Sequence, residues 1–149
     1  MITVSAVVEE ASAVKDALRR WARGAYAEEA AVELVCRAFG GRYASPNWPW
    51  VQPCDQPGWF WLDGEELLHG TGPLSGGERR VLAIAGALVT GGCLTELGGC
   101  LAGMDRSNLT LVLAAFAHAG GSHEHTRWSM DGDKAVPYRY GPLVAWPAA

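Results

Sequence analysis

Residues 104–121 read MDRSNLTLVLAAFAHAGG, and this run sets the expected centre of the fold. Asp105 or Ser107 can cap the start of a helix there, and Gly120-Gly121 can end it. Apolar side chains fall on two sides of that helix, with Leu109, Val112, Leu113 and Phe116 on one and Leu111 and Ala115 on the other. A helix that is apolar nearly all round is normally buried, so the pattern predicts a central, buried helix at 106–119.

Two amphipathic segments near the start of the chain predict a helical hairpin over residues 5–40. The first carries an apolar stripe opposite a charged face, and Gly24 can end it. The second, AYAEEAAVELVCRAF, has its own stripe at Val32, Val35, Cys36 and Phe39. Gly40-Gly41 follows it and stops the helix.

The segment 43–62, YASPNWPWVQPCDQPGWFWL, changes the texture of the sequence. Proline at every third or fourth position blocks a helix and a central strand, so we expect an ordered loop with a short strand at 59–62. The four tryptophans allow two interpretations. They form a recognition surface for a protein partner, or they fold back as core. The residues concerned are Trp48, Trp50, Trp59 and Trp61.

A capping box explains the stretch LSGGERRVLAIAGALVT at 74–90. Ser75 and Glu78 stand in the S-x-x-E relation, in which each side chain accepts a hydrogen bond from the backbone N–H of the other residue. The apolar run that follows predicts a helix over 75–90.

The part from Leu74 to Leu88, LSGGERRVLAIAGAL, also resembles the signature stretch of ATP-binding cassette proteins. That resemblance implies nucleotide binding, yet the chain has no GxxxxGK[ST] loop to hold phosphates. We therefore expect no nucleotide site. A lesser hypothesis is anion binding by the free N–H groups at Ser75, Gly76 and Gly77.

Three histidines lie within eight residues, at His118, His123 and His125. An H-x-H pair on a strand places both rings on one face, as a divalent metal such as zinc requires. Such clusters activate a bound water in metal-dependent hydrolases and nucleases. Glu124 or Asp131 could assist. The spacing matches neither HExxH nor HxHxDH.

The last part of the chain predicts a β-hairpin over 126–146. Asp131-Gly132 is a turn signal, and Pro137 places the second arm at an edge. The whole chain is therefore expected to be one α+β domain spanning 1–149. It is dominated by about four to five helices and carries one or two small β-hairpins.

Composition narrows the function. The formal charge of −4 disfavours nucleic acid as a partner, and the absence of an 18-residue apolar run predicts no membrane span. Four cysteines without a CxxC pair, and no signal peptide, predict a cytoplasmic protein. Ten of the twelve basic residues are Arg, which is typical of a high-GC bacterium or its phage.

No complete catalytic set is recognisable in the sequence. Our leading hypothesis is therefore a non-enzymatic interaction module that needs no cofactor. It would bind a protein partner or assemble into a homo-oligomer through the tryptophan–proline segment. The alternative is the metal-dependent hydrolase or nuclease built on the three histidines.

Overall fold

A computed structural model describes residues 4–148 and confirms a helix-dominated α+β fold. The helices are α1 (Val4–Ala22), α2 (Tyr26–Arg37), α3 (Gly64–His69), α4 (Gly76–Thr90), α5 (Leu97–Ala102) and α6 (Arg106–Ala119). Two antiparallel hairpins accompany them, β1 (Val51–Pro53) with β2 (Phe60–Leu62), and β3 (Thr126–Asp131) with β4 (Lys134–Arg139). Short 3-10 turns cover Ala38–Gly41 and Ser122–Glu124. None of the helices in the described part is both long and apolar enough to cross a membrane.

The centre of the fold is α2, which contacts α1, α4 and α6. Its buried residues follow one another almost without interruption: Ala30, Ala31, Val32, Leu34, Val35 and Cys36. The prediction that α6 is the central helix is wrong, because Leu113 on its outer face is 48% exposed. Alanines let neighbouring helices approach α2 from several sides, whereas α6 packs against α2 with one side and keeps the other in water.

Helix termini follow local signals closely. The N–H of Glu78 donates to Ser75 Oγ (3.4 Å), and the N–H of Ser75 donates to Glu78 Oε2 (2.9 Å), which confirms the capping box. At α6 the cap is Asp105, whose carboxylate accepts from the N–H of Asn108 (2.8 Å). These bonds satisfy N–H groups that a helix start otherwise leaves free.

The tryptophan–proline segment forms the β1–β2 hairpin, with Val51 opposite Leu62. The Asp63-Gly64 pair is a helix start, because the Asp63 side chain accepts from the N–H groups of Glu65 and Glu66. The helix α3 then packs tightly on α4. A Cβ on Gly86 would lie 2.8 Å from the carbonyl oxygen of Gly64, so only glycine fits at this contact.

The C-terminal hairpin stands apart from the helices. A two-residue turn joins β3 and β4, with Gly132 at φ 60°, as a type II′ turn requires at its first central position. The predicted extent of 126–146 was too long, since β4 ends at Arg139. Beyond it the chain returns to the helices, where the carbonyl of Pro147 accepts from Arg37 Nη1 (2.9 Å). Ser122 Oγ accepts from the N–H of Leu143 (3.2 Å).

Candidate functional site

Of the four predicted recognition tryptophans, Trp50 belongs to the core and Trp48 packs against it. Trp50 is fully buried, and its Nε1–H donates to the carbonyl of Tyr43 (2.9 Å). Trp48 stacks on Trp50 with ring centroids 5.0 Å apart and is itself partly buried. The assignment of Trp50 to a partner surface is therefore corrected, because a buried ring that has its own hydrogen bond has no face left for a partner.

The other two tryptophans are more accessible than Trp50. Trp61 is half-buried, and Trp59 is 40% exposed. The Arg20 guanidinium lies 5.4 Å from the Trp59 ring centroid, a cation–π contact that covers part of the ring. Only Trp59 among the four presents a substantial area to solvent.

The predicted histidine triad is rearranged in the structure. His118 and His123 come together with Glu29, and their ligand atoms lie within 4.8 Å of one another. His125 lies outside this group and is exposed. The predicted H-x-H face on a strand is wrong, because a 3-10 turn over Ser122–Glu124 separates the directions of the two side chains.

Glu29 is the residue that sequence reasoning missed. Its Oε2 lies 2.7 Å from His118 Nε2, and its Oε1 accepts from the N–H of Gly24 (2.9 Å). Burial would raise the pKa of Glu29, but the hydrogen bonds from Gly24 and His118 outweigh it and lower the pKa. Glu29 therefore holds its negative charge beside two imidazoles. The sequence interval of 89 residues to His118 hid this relation.

The two imidazoles are stacked, with centroids 4.0 Å apart and planes inclined by 13°. The Tyr26 ring makes T-shaped contacts with both imidazoles, with its centroid 4.9 Å from that of His123 and 6.2 Å from that of His118. The Nδ1 atom of His123 is buried and has no hydrogen-bond partner within the described chain. A metal lies in the plane of each imidazole that binds it, so nearly parallel rings must turn before both can coordinate one ion.

At the predicted anion site of Ser75, Gly76 and Gly77, the carboxylate of Glu78 competes with any bound anion for the backbone N–H groups. Glu78 reaches back over this turn to the N–H of Ser75 and also pairs with Arg42. The negative charge that a helix start attracts is thus already supplied by the chain itself.

A cavity of about 710 Å³ lies between α1, α2, α6 and the C-terminal tail. Lys15, Arg19 and Arg37 line it, and Glu33 pairs with both arginines, at 2.6 Å from Arg19 Nε and 2.7 Å from Arg37 Nε. Burial would raise the pKa of Glu33, but these two hydrogen bonds lower it. Both arginines are therefore committed to structural ion pairs: Arg19 links α1 to α2, and Arg37 pairs with Glu33 within α2.

The largest exposed apolar side chains cluster on the C-terminal hairpin. All twelve residues of β3 and β4 are exposed, and the two strands pack mainly against each other. Trp128 and Met130 lie on one face at 67% and 68% exposure, and Tyr138 lies on the other at 59%. The sequence pattern predicts this hairpin but not its isolation from the helices, which depends on tertiary packing.

Comparison with protein-family models, with curated proteins and with solved structures gave no match to this chain.

Proposed function

We propose that this chain is a non-enzymatic interaction module that binds a protein partner or assembles with itself through the β3–β4 hairpin. One observation supports this function best: both faces of the hairpin lie in water although they carry Trp128, Met130 and Tyr138. An isolated two-stranded hairpin is marginally stable in water, and exposed aromatic residues with methionine are typical of the core of a protein interface. A partner that covers the hairpin would stabilise the two-stranded ladder and would also remove the exposed apolar side chains from water.

The proposal moves the binding element from the tryptophan–proline segment to the C-terminal hairpin. Trp50 is buried in the helical body, and Trp59 is the most exposed of the predicted four. A cytoplasmic location remains part of the proposal. Four free cysteines support it, two of them exposed, because exposed thiols persist in reducing compartments.

The test replaces two exposed apolar side chains of the hairpin with serine. The double variant W128S/M130S and the control W59S serve as baits beside the parent chain in affinity purification from the source organism. We expect a protein that the parent and W59S retain and the double variant loses. That protein is then purified and its direct binding is measured by calorimetry. Equal retention by all three baits would contradict a binding role for the hairpin.

A second candidate function rests on Glu29, His118 and His123, whose ligand atoms lie within 4.8 Å of one another and could bind a divalent metal such as zinc once the stacked rings turn. Metal-dependent hydrolysis, including nuclease activity, would follow from water bound at such an ion. The test is zinc titration of the untagged chain followed by calorimetry. H123N should abolish binding, and H125N is the matched control because His125 lies outside the cluster. Equal zinc binding by both variants, or none by the parent, excludes the site.

A further inference from the structure

The two edges of the C-terminal hairpin are not equivalent. The turn over Gly132-Asp133 makes Asp131 and Lys134 a hydrogen-bonded pair, and the N–H of Tyr140 donates to the carbonyl of His125 (3.0 Å). Hydrogen-bonded pairs alternate with non-hydrogen-bonded ones in an antiparallel ladder. The odd-numbered residues of β3 therefore point their backbone groups at β4, and Thr126, Trp128 and Met130 point theirs outward.

The outer edge of β3 is ready to accept another strand. Thr126, Trp128 and Met130 each present an N–H and a carbonyl there, and β4 is the only strand that pairs with β3 among residues 4–148. The outer edge of β4 is interrupted, because Pro137 lies opposite Trp128 and has no N–H. Natural proteins place proline on edges to prevent pairing, so β3 is the edge left open.

The sequence of β3 is self-complementary when two copies run antiparallel. A register centred on Ser129 places Trp128 opposite Met130 of the second copy, and both residues carry outward backbone groups. The same register places Arg127 opposite Asp131 of the second copy on the other face. Each contact occurs twice because of the twofold axis.

Side-chain chemistry supports this one register. Opposite charges across a strand pair are favourable, and methionine sulfur packs well against an indole. At the centre, Ser129 lies beside Ser129 of the second copy, where two small side chains fit on the same face without a clash. A shift by one residue would carry the side chains of one strand to the opposite face of the other and separate these pairs.

We propose that the partner of this hairpin is a second copy of the same chain, which joins β3 to β3 in a four-stranded antiparallel sheet. This inference rests on the interaction role proposed above and names its occupant. The paired sheet satisfies the outward groups of Trp128 and Met130 in both copies. It also has the three or more strands that independent stability requires.

Two proline variants test which edge pairs. M130P and A135P change directly opposed residues, and both remove an outward N–H while leaving the β3–β4 ladder intact. We expect the parent chain and A135P to sediment as dimers. M130P should sediment as a monomer at every concentration at which the parent is dimeric. Helical circular dichroism confirms that all three fold.

Two charge variants test the register. R127D places two carboxylates opposite each other, and D131R places two guanidinium groups opposite each other. We expect each to raise the dimer dissociation constant by about tenfold, since two attractive pairs become repulsive. An equimolar mixture restores the opposite-charge pairs, so it should form a heterodimer close to the parent in affinity.

A parent chain that sediments as a monomer at its highest soluble concentration would overturn self-pairing. So would a dimer that M130P leaves intact, or a mixture no tighter than its components. Failure of self-pairing leaves a distinct signature from failure of the interaction role. In the former case, W128S/M130S still loses a retained protein of different sequence. In the latter, the parent is a monomer and all baits behave alike.

Discussion

The indole of Trp48 lies flat against that of Trp50, with ring planes inclined by 7° and centroids 5.0 Å apart. The Trp48 Nε1–H donates to the carbonyl of Arg42, and that of Trp50 donates to Tyr43, both at 2.9 Å. Both indole N–H groups therefore keep a hydrogen-bond partner when the two large rings are removed from water. A segment rich in proline thus contributes the largest buried side chain of the described core.

Replacing Trp50 with alanine should lower the free energy of unfolding by about 3–5 kcal/mol, because it removes a fully buried ring and leaves a cavity. Trp59→Ala, at an exposed position of the same segment, should cost less than about 1 kcal/mol. Urea denaturation followed by circular dichroism measures both. Equal losses would contradict the division of this segment into core and surface.

Gly86→Ala should destabilise the chain by about 1–3 kcal/mol, although alanine favours helices. The added methyl would meet the carbonyl of Gly64 at 2.8 Å and force α3 away from α4. Gly77→Ala is the matched control, since no atom of residues 4–148 outside its own stretch of helix lies within 4 Å of a Cβ built there. Thermal melting should show a lower midpoint for the first variant and an unchanged or higher one for the second.

The Glu33 ion pairs predict a defined loss of stability in acid. Because folding lowers the pKa of Glu33 from its ordinary value of 4.5, its contribution is fully present above that value. The contribution disappears as the pH falls through the lowered folded pKa. The difference in unfolding free energy between the parent and E33Q should therefore shrink in this acid range. E9Q, at an exposed site on α1, should stay within about 0.5 kcal/mol of the parent throughout.

Thiol labelling should separate the cysteines by burial. Burial raises the pKa of Cys36 to about 12, so it carries almost no reactive thiolate near neutrality. Cys54 and Cys93 are exposed and should react with iodoacetamide within the native chain. Mass spectrometry of labelled peptides, with and without urea, measures the order. Labelling of Cys36 as fast as Cys54 in native buffer would contradict the packing of α2.

Local signals predicted the elements well. The Ser75–Glu78 box, the Asp105 cap and the Asp131-Gly132 turn each depend on residues within four positions, so sequence alone places them. The tertiary contacts between these elements are harder to predict from sequence. Nothing local distinguishes the glutamates of α2 that face solvent from Glu29, whose partner His118 belongs to a distant helix. The buried Trp50 and the isolated hairpin likewise depend on which surfaces meet.

Hydrogen bonds attach the C-terminal hairpin to the helical body both before β3 and after β4. The Leu143 N–H donates to Ser122 Oγ across the base of the hairpin, and Arg37 of the central helix α2 donates to the carbonyl of Pro147. A hairpin that is bonded to the body on both sides rotates less freely than a segment attached at one end only. We therefore expect the hairpin to keep a fixed orientation relative to α6 and α2.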